Sequence, residues 1–376
     1  MMTEGNVTLV VIDLFRELEF SRIDKDRVED IVNETLDRCG VTRAENVSTR
    51  DNGEGTFNEI MRFVRIQDRF IAFNSILLKS YFYHQVRQKV DKDDEQHENT
   101  CYPIVSLPRT TDGKPFIPSF NSTSDEKKCR EYPIESFNIS HQYPFIGMVY
   151  NSKIGLDCNL GLDIVTFDSI NKALYATVTD FLNVYKSNFT KGEWDCIQYQ
   201  RYKSCCTKVL RPDNWRMWEF YVRWAMKEAY TKALGKGMKI AFSSFQIEVS
   251  DVEGSCLSLG IWEFIMMRHQ DYNSKNNQSK EKESFLLKTQ ATIHHIKGEK
   301  VLCDFIFIPL SSAGILHNVF PTTSKVTLHR FGFDGCACIC SKITKNRFEE
   351  NGVLGVEFKS ITMQDLQNFH EVGIEI

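Results

Sequence analysis

Apolar positions along the chain alternate between two periods, and the polar stretches between them mark where one element gives way to the next. Thr3–Phe15 is crowded with Val, Leu and Ile and predicts a strand-rich start. Phe57–Val86 spaces Phe63, Phe70, Phe73, Ile76, Leu77 and Tyr81 at helical intervals and predicts one long helix. Ile146–Val149 and Gly161–Val165 read as strands, with Gly155 and Gly161 marking turns or close backbone approach. A strong helix is predicted from about Asp213 to Ala233. After it come β-type runs at Phe245–Val249, Leu257–Met266, Leu286–Ile296, Val301–Ile308, Val326–Phe333 and Val353–Phe358. Lys89–Glu98 and Asn121–Arg130 read as solvated loops, and the almost wholly polar Tyr272–Glu283 as an insertion. No solenoid period is present. The class expected is α+β, with helices and largely antiparallel sheet in each half.

Composition narrows the functions available. The 376 residues are 42% apolar and 26% charged, enough apolar material for one large domain or two and too much for wholesale disorder. The formal net charge of -4 excludes nucleic-acid binding driven by bulk positive charge. No run approaches the ~18 apolar residues that a membrane helix needs. The start, Met1-Met2-Thr3-Glu4-Gly5, has no basic region before its apolar stretch, so a soluble, cytoplasmic protein is expected. The twelve cysteines include Cys336-Ala-Cys338-Ile-Cys340, whose alternation puts three thiols on one face of a strand. The CxxC turn that folds two sulfurs around one zinc is absent there, so buried free cysteines are the simpler reading.

The segment Trp215–Gly237 carries the most information. Asp213 is placed to cap its helix after Pro212, and Gly235 to end it. Glu228 and Lys232 stand four residues apart on one face, amid Val222, Ala225, Met226, Ala229 and Ala233. Alone, they describe a structural pair worth a few tenths of a kcal/mol when exposed. Other segments change that reading: Arg109-Thr-Thr-Asp-Gly113-Lys114-Pro115, Phe137-Asn138-Ile-Ser140-His141, Gly161-Leu-Asp163, Phe189-Thr-Lys-Gly-Glu193-Trp194 and Trp224-Ala-Met-Lys-Glu228-Ala-Tyr-Thr-Lys232. This ordered series resembles the Sfp-type 4'-phosphopantetheinyl transferases, of the eukaryotic type that serves aminoadipate reductase in lysine biosynthesis. The resemblance runs from about Phe57 to Gly237.

The resemblance implies two similar α/β halves related by a pseudo-twofold, here 1–159 and 160–376, with coenzyme A in the cleft between them and a monomer as the expected state. It implies that 4'-phosphopantetheine moves from coenzyme A to a serine of an apo carrier protein, with Mg2+, releasing adenosine 3',5'-bisphosphate. Asp163 and Glu228 would hold the metal, Lys232 would meet the pyrophosphate, and Glu228, directly or through a metal-bound water, would take the serine proton. Arg109, Thr110, Gly113, Lys114, Asn138, Ser140 and His141 would bind the nucleotide. Three departures stand out. Val165 occupies the place where many bacterial members carry a second carboxylate. Gly155-Leu-Asp157 imitates Gly161-Leu-Asp163, and the β-type Ile164-Val165 favours Asp163. Glu59 stands where the resemblance expects an arginine, with Arg62 one turn on as a substitute. A catalytically inactive coenzyme A or carrier binder, and a metal or redox role for Cys336, Cys338 and Cys340, are the rival readings.

Overall fold

The structure, a computed structural model, describes residues 6–14, 25–38, 53–90, 102–117, 137–151, 159–167, 170–171, 173–201, 208–249, 260–266, 287–310, 335–342 and 355–372. The polar stretches 121–130 and 272–283, the run 326–333, Gly155 and Asp157 lie outside them. The class is α+β. The chain divides into two compact units, Thr8–Asp157 with Phe358–Ile376 (the first unit) and Met1–Val7 with Cys158–Glu357 (the second).

The first unit carries a four-stranded sheet built from β1 (Asn6–Asp13), β2 (Phe137–Gln142), β3 (Phe145–Asn151) and β11 (Gly355–Ser360), in the order β11-β1-β3-β2. Its helices are α1 (Lys25–Arg38), α2 (Gly53–Met61) and α3 (Ile66–Val90), joined by α7 (Met363–Val372) from the far end of the chain. The single helix expected over Phe57–Val86 is therefore two. The break falls at 62–65, where Val64 projects into solvent and the Arg69 guanidinium, from the start of α3, donates to the Phe63 carbonyl at 2.7 Å. Sequence division at 159/160 assigned the whole remainder to the second half; the closing segment belongs instead to the first unit. Leu366 and Phe369 of α7 are fully buried, Phe369 stacks on Tyr102 at 4.5 Å, and Gln367 donates to the Thr35 hydroxyl at 2.9 Å. The His370 ring nitrogens lie 2.8 and 3.1 Å from the carbonyl oxygens of Tyr102 and Leu77. Apolar area on α7 has to be covered somewhere, and the α3 side supplies the matching surface.

The second unit is built on a five-stranded antiparallel sheet, β4-β10-β9-β8-β7. Its strands are β4 (Leu160–Thr166), β7 (Phe245–Val249), β8 (Leu287–His295), β9 (Lys300–Leu310) and β10 (Gly335–Lys342), and a short ribbon pairs β5 (Tyr199–Arg201) with β6 (Lys208–Leu210). Helices α4 (Val178–Tyr185) and α5 (Lys191–Gln198) each begin with a full capping box, Thr177 with Asp180 and Thr190 with Glu193. The long helix α6 (Asp213–Ala233) packs on β4 and β10. Its N-cap is Pro212, not Asp213: with no side-chain cap available, the Asp213 carboxylate pairs with Arg216 at 2.9 Å instead. Its end is as expected, with Gly235 at φ +71° and the Lys236 amide donating to the Thr231 carbonyl. Residues 261–266 are helical where a strand was expected. The buried Glu219 carboxylate accepts the Ile261 and Trp262 amides, both at 2.8 Å, which satisfies the otherwise orphaned donors of a helix start.

Candidate active site

Strand β4 and helix α6 bring the central residues together. Gly161, Asp163 and Val165 alternate onto one face of β4. Gly161 lets the helix come close: a Cβ there would run into the Ala229 carbonyl oxygen and the Ala233 amide nitrogen. With backbone this near, Asp163 reaches the helix. The Lys232 ammonium donates to Asp163 Oδ1 at 2.7 Å across 69 residues of chain, and its Nζ lies 3.7 Å from Glu228 Oε2. Asp163 and Glu228 are both mostly buried, and Lys232 retains the most exposure of the three. Burial raises the Glu228 carboxyl above its usual range; the Asp163 charge adds to the rise and Lys232 opposes it. A carboxylate pushed up in this way is suited to accept a proton from a substrate hydroxyl.

The donor set can be weighed against a metal. Asp163 and Glu228 offer hard oxygen donors that both approach one ammonium nitrogen, so one small cation can meet both. Among the described residues no group of three His, Cys, Asp or Glu is arranged to hold a metal ion. Two carboxylates with the remaining positions left to water and phosphate oxygens suit Mg2+, which is seldom caged by protein alone. Val165, on the same face, lies in the apolar core and supplies nothing.

The cysteine face is close to this cluster without joining it. Cys338 stands opposite Asp163 in register, with Cys340 opposite Gly161 and Cys336 opposite Val165. All three are buried in the core beside Phe305 and Phe307. Burial pushes the Cys336 thiol up to about 12, with the Asp163 charge adding to it, and holds the Cys338 and Cys340 thiols well above the ordinary range. Protonated, inert thiols follow from that environment.

The other expected residues lie in the first unit and form two groups. Arg109–Pro115 is a tight turn closed by a bridge between Arg109 and Pro115, with Gly113 at φ +90°. The Thr110 amide donates to the Lys114 carbonyl, the Gly113 amide to Thr110, and the Arg109 guanidinium to the Gly113 carbonyl. Lys114 is pulled below its ordinary value by burial. Asn138 and Ser140 share one face of β2 and are buried, while His141 lies on the other face and is exposed. Glu59 does not wait for an arginine substitute: its carboxylate lies 3.8 Å from Arg109. Lys79 is a cation that sequence reading passed over. Burial lowers its amine, the positive Arg109 lowers it further, and Glu59 opposes both, which puts Lys79 beside that pair. The signal was present, because Lys79 follows Leu77-Leu78 directly, but a lone lysine on an apolar helix has no distinguishing pattern.

The larger omission is Lys227. Within the sequence it is one letter of a motif; in the structure its side chain is fully buried and its ammonium lies 3.0 Å from Glu193 Oε2. Two motifs far apart in the chain thus meet inside the unit. Burial pulls the Lys227 amine down to about 8, and Glu193 opposes the fall.

Residues 159–286 match the family model described as the 4'-phosphopantetheinyl transferase superfamily. The chain is similar to the L-aminoadipate-semialdehyde dehydrogenase-phosphopantetheinyl transferase of Xenopus laevis, 29% identical over 148 residues, covering 39% of this chain and 41% of the relative. Proteins of the same name from Mus musculus and Homo sapiens are each 26% identical, over 153 and 147 residues, covering 40% and 39% of this chain and 41% and 40% of theirs. The chain spans about two-fifths of the length of the curated relatives it matches. These matches bear out the family resemblance read from the motifs. The family match takes in Asp163, Glu193, Glu228 and Lys232, and begins after Arg109–Lys114 and Asn138–His141.

Proposed function

Starting from a phosphopantetheinyl transferase superfamily match over residues 159–286, we propose that the chain transfers 4'-phosphopantetheine from coenzyme A to a serine hydroxyl of an apo carrier domain. The observation that carries this reading is the meeting of Asp163, Glu228 and Lys232 from a strand and a helix. In the reaction, Glu228 takes the serine proton, and the serine Oγ forms a bond to the phosphorus bearing pantetheine. The pyrophosphate P–O bond breaks, and adenosine 3',5'-bisphosphate leaves with the bridging oxygen. Lys232 then has a phosphate to hold in place of a carboxylate, and its charge opposes the negative charge that grows on the leaving group. Asp163 and Glu228 would hold Mg2+, which supplies Lewis-acid neutralisation of the pyrophosphate when bound. Arg109 and Lys114 hold phosphate through guanidinium and ammonium, Thr110 adds its hydroxyl, and Gly113 shapes the turn that carries them. Asn138, Ser140 and His141 contact the nucleotide.

The names of the relatives support an aminoadipate-semialdehyde dehydrogenase as the partner, and the motif resemblance implies lysine biosynthesis as the setting. The chain acts as a cytoplasmic monomer. The test is mass spectrometry of an apo carrier domain incubated with the protein, coenzyme A and Mg2+. One phosphopantetheine should be added per carrier, and EDTA should stop it. Glu228→Ala should slow it by about 10²–10⁴-fold, the usual contribution of a positioned base. Coenzyme A binding without transfer to any carrier would instead make the chain an inactive binder.

A further inference from the structure

Three partners converge on the buried Lys227 ammonium. It donates to the carbonyl oxygens of Phe242 and Phe245, each at 2.8 Å, and lies 3.0 Å from Glu193 Oε2. An ammonium has three donors, so none is left over. The Lys227 side chain is 0% exposed and that of Glu193 2%. Glu193 is held in turn: Oε2 accepts from the Thr190 amide and hydroxyl, both at 3.0 Å, and Oε1 accepts from the Ile247 amide at 3.0 Å. One side chain in the middle of α6 is thereby tied to the start of α5 and to the entry of β7.

We propose that Lys227 and Glu193 are a positioning pair that fixes the rotation and height of α6, and through it the place of Glu228. The pair touches no substrate, and the role rests on the transferase reading above. Lys227 and Glu228 are neighbours on the helix, about 100° apart around its axis. Any rotation that released Lys227 would swing Glu228 and Lys232 together away from Asp163 on β4 by the same angle. Apolar packing of α6 is non-directional and so defines this register less sharply than bonds to fixed acceptors do. A buried ion pair offers little net stability over an apolar pair of like volume. What directional bonds add is register.

The experiment replaces both charges together, K227M with E193Q, so that neither is left buried and unpaired. Thermal melting checks the fold, and three readouts follow: kcat for carrier modification, KM for coenzyme A, and Mn2+ affinity of the protein alone. The expected result is a folded variant whose kcat falls about 10–100-fold, the scale of a misplacement near 1 Å. Its KM for coenzyme A should stay within about twofold, and its Mn2+ affinity should fall in step with the misplaced Glu228 carboxylate. A folded variant with wild-type kcat and wild-type Mn2+ affinity overturns the proposal. Should the double variant fail to fold, T190V removes both hydroxyl bonds to Glu193, one to its carboxylate and one from its amide, and a kcat fall with unchanged KM is expected there too; unchanged kcat in T190V overturns the proposal. A wild-type protein that modifies no carrier sinks the transferase reading itself, and the Mn2+ comparison then still decides whether the pair positions Glu228.

Discussion

In the second unit, charge is fixed by burial; in the first, it is presented on a turn. Lys227 with Glu193, Arg223 with Glu219 at 2.6 Å and Arg211 with Glu263 at 2.7 Å are all enclosed, and backbone amides or carbonyls complete their shells. Arg109 and Glu59 are 52% and 42% exposed and 3.8 Å apart, Arg109 on its local turn and Glu59 on α2. The two arrangements suit different tasks. Enclosed pairs keep their geometry whatever the solvent and so can aim a reacting carboxylate, because a preorganised charge needs no rearrangement when the substrate reacts. An exposed pair is worth about 0–1 kcal/mol and is screened by salt, so its carboxylate yields easily to an incoming phosphate.

The largest effect that would break this contrast comes from the backbone. Gly161→Ala puts a methyl group against the carbonyl of Ala229, where only a shift of strand or helix relieves the clash. Overpacking of this kind costs about 1–3 kcal/mol. Carrier modification should fall at least ~100-fold as Lys232 and Glu228 separate from Asp163. A melting temperature and rate both near wild type would show that the close approach is dispensable. An intermediate effect is expected at Arg109→Ala. Coenzyme A binding should weaken about tenfold at low salt, consistent with loss of one charge-assisted contact, and the difference from wild type should shrink as ionic strength rises. Isothermal titration at two salt concentrations reads both, and a salt-independent loss would mean that Arg109 acts through packing. The smallest effect has the opposite sign. Glu59→Gln removes the internal anion from Arg109 and should tighten coenzyme A binding by about two- to fivefold, in keeping with the modest value of an exposed pair. Weaker binding in that variant would mean that Glu59 orients Arg109 rather than competing for it.

Much of the site could be read from residue order. Glu228 and Lys232 four apart, the Gly161-Leu-Asp163 strand and the capped turn with Gly113 are local patterns, and local patterns survive into structure because they depend on near neighbours in the chain. The same holds for the end of α6 at Gly235 and for the alternation of Cys336, Cys338 and Cys340 along β10. Reading failed where a distant partner overrode a local preference. The apolar run ending at Met266 looks like a strand, but the Glu219 carboxylate, some forty residues earlier, caps 261–266 into a helix. Asp213 looks like an N-cap, but Arg216 draws its carboxylate away. The closing segment looks like part of the half that precedes it, but Phe369 and His370 find their partners at Tyr102 and Leu77.

Residue types and spacing were therefore enough to name the groups available here: two carboxylates, an ammonium one helical turn from Glu228, and a turn that carries Arg109 and Lys114. They were not enough to show how that chemistry is held in place. Lys227 and Glu193 are an ordinary lysine and an ordinary capping-box glutamate in the sequence; they become a single clamp only when α6, α5 and the entry of β7 pack together and bury both. Charges buried this way must be paired, since water no longer solvates them, and the partner is chosen by proximity in space rather than in sequence.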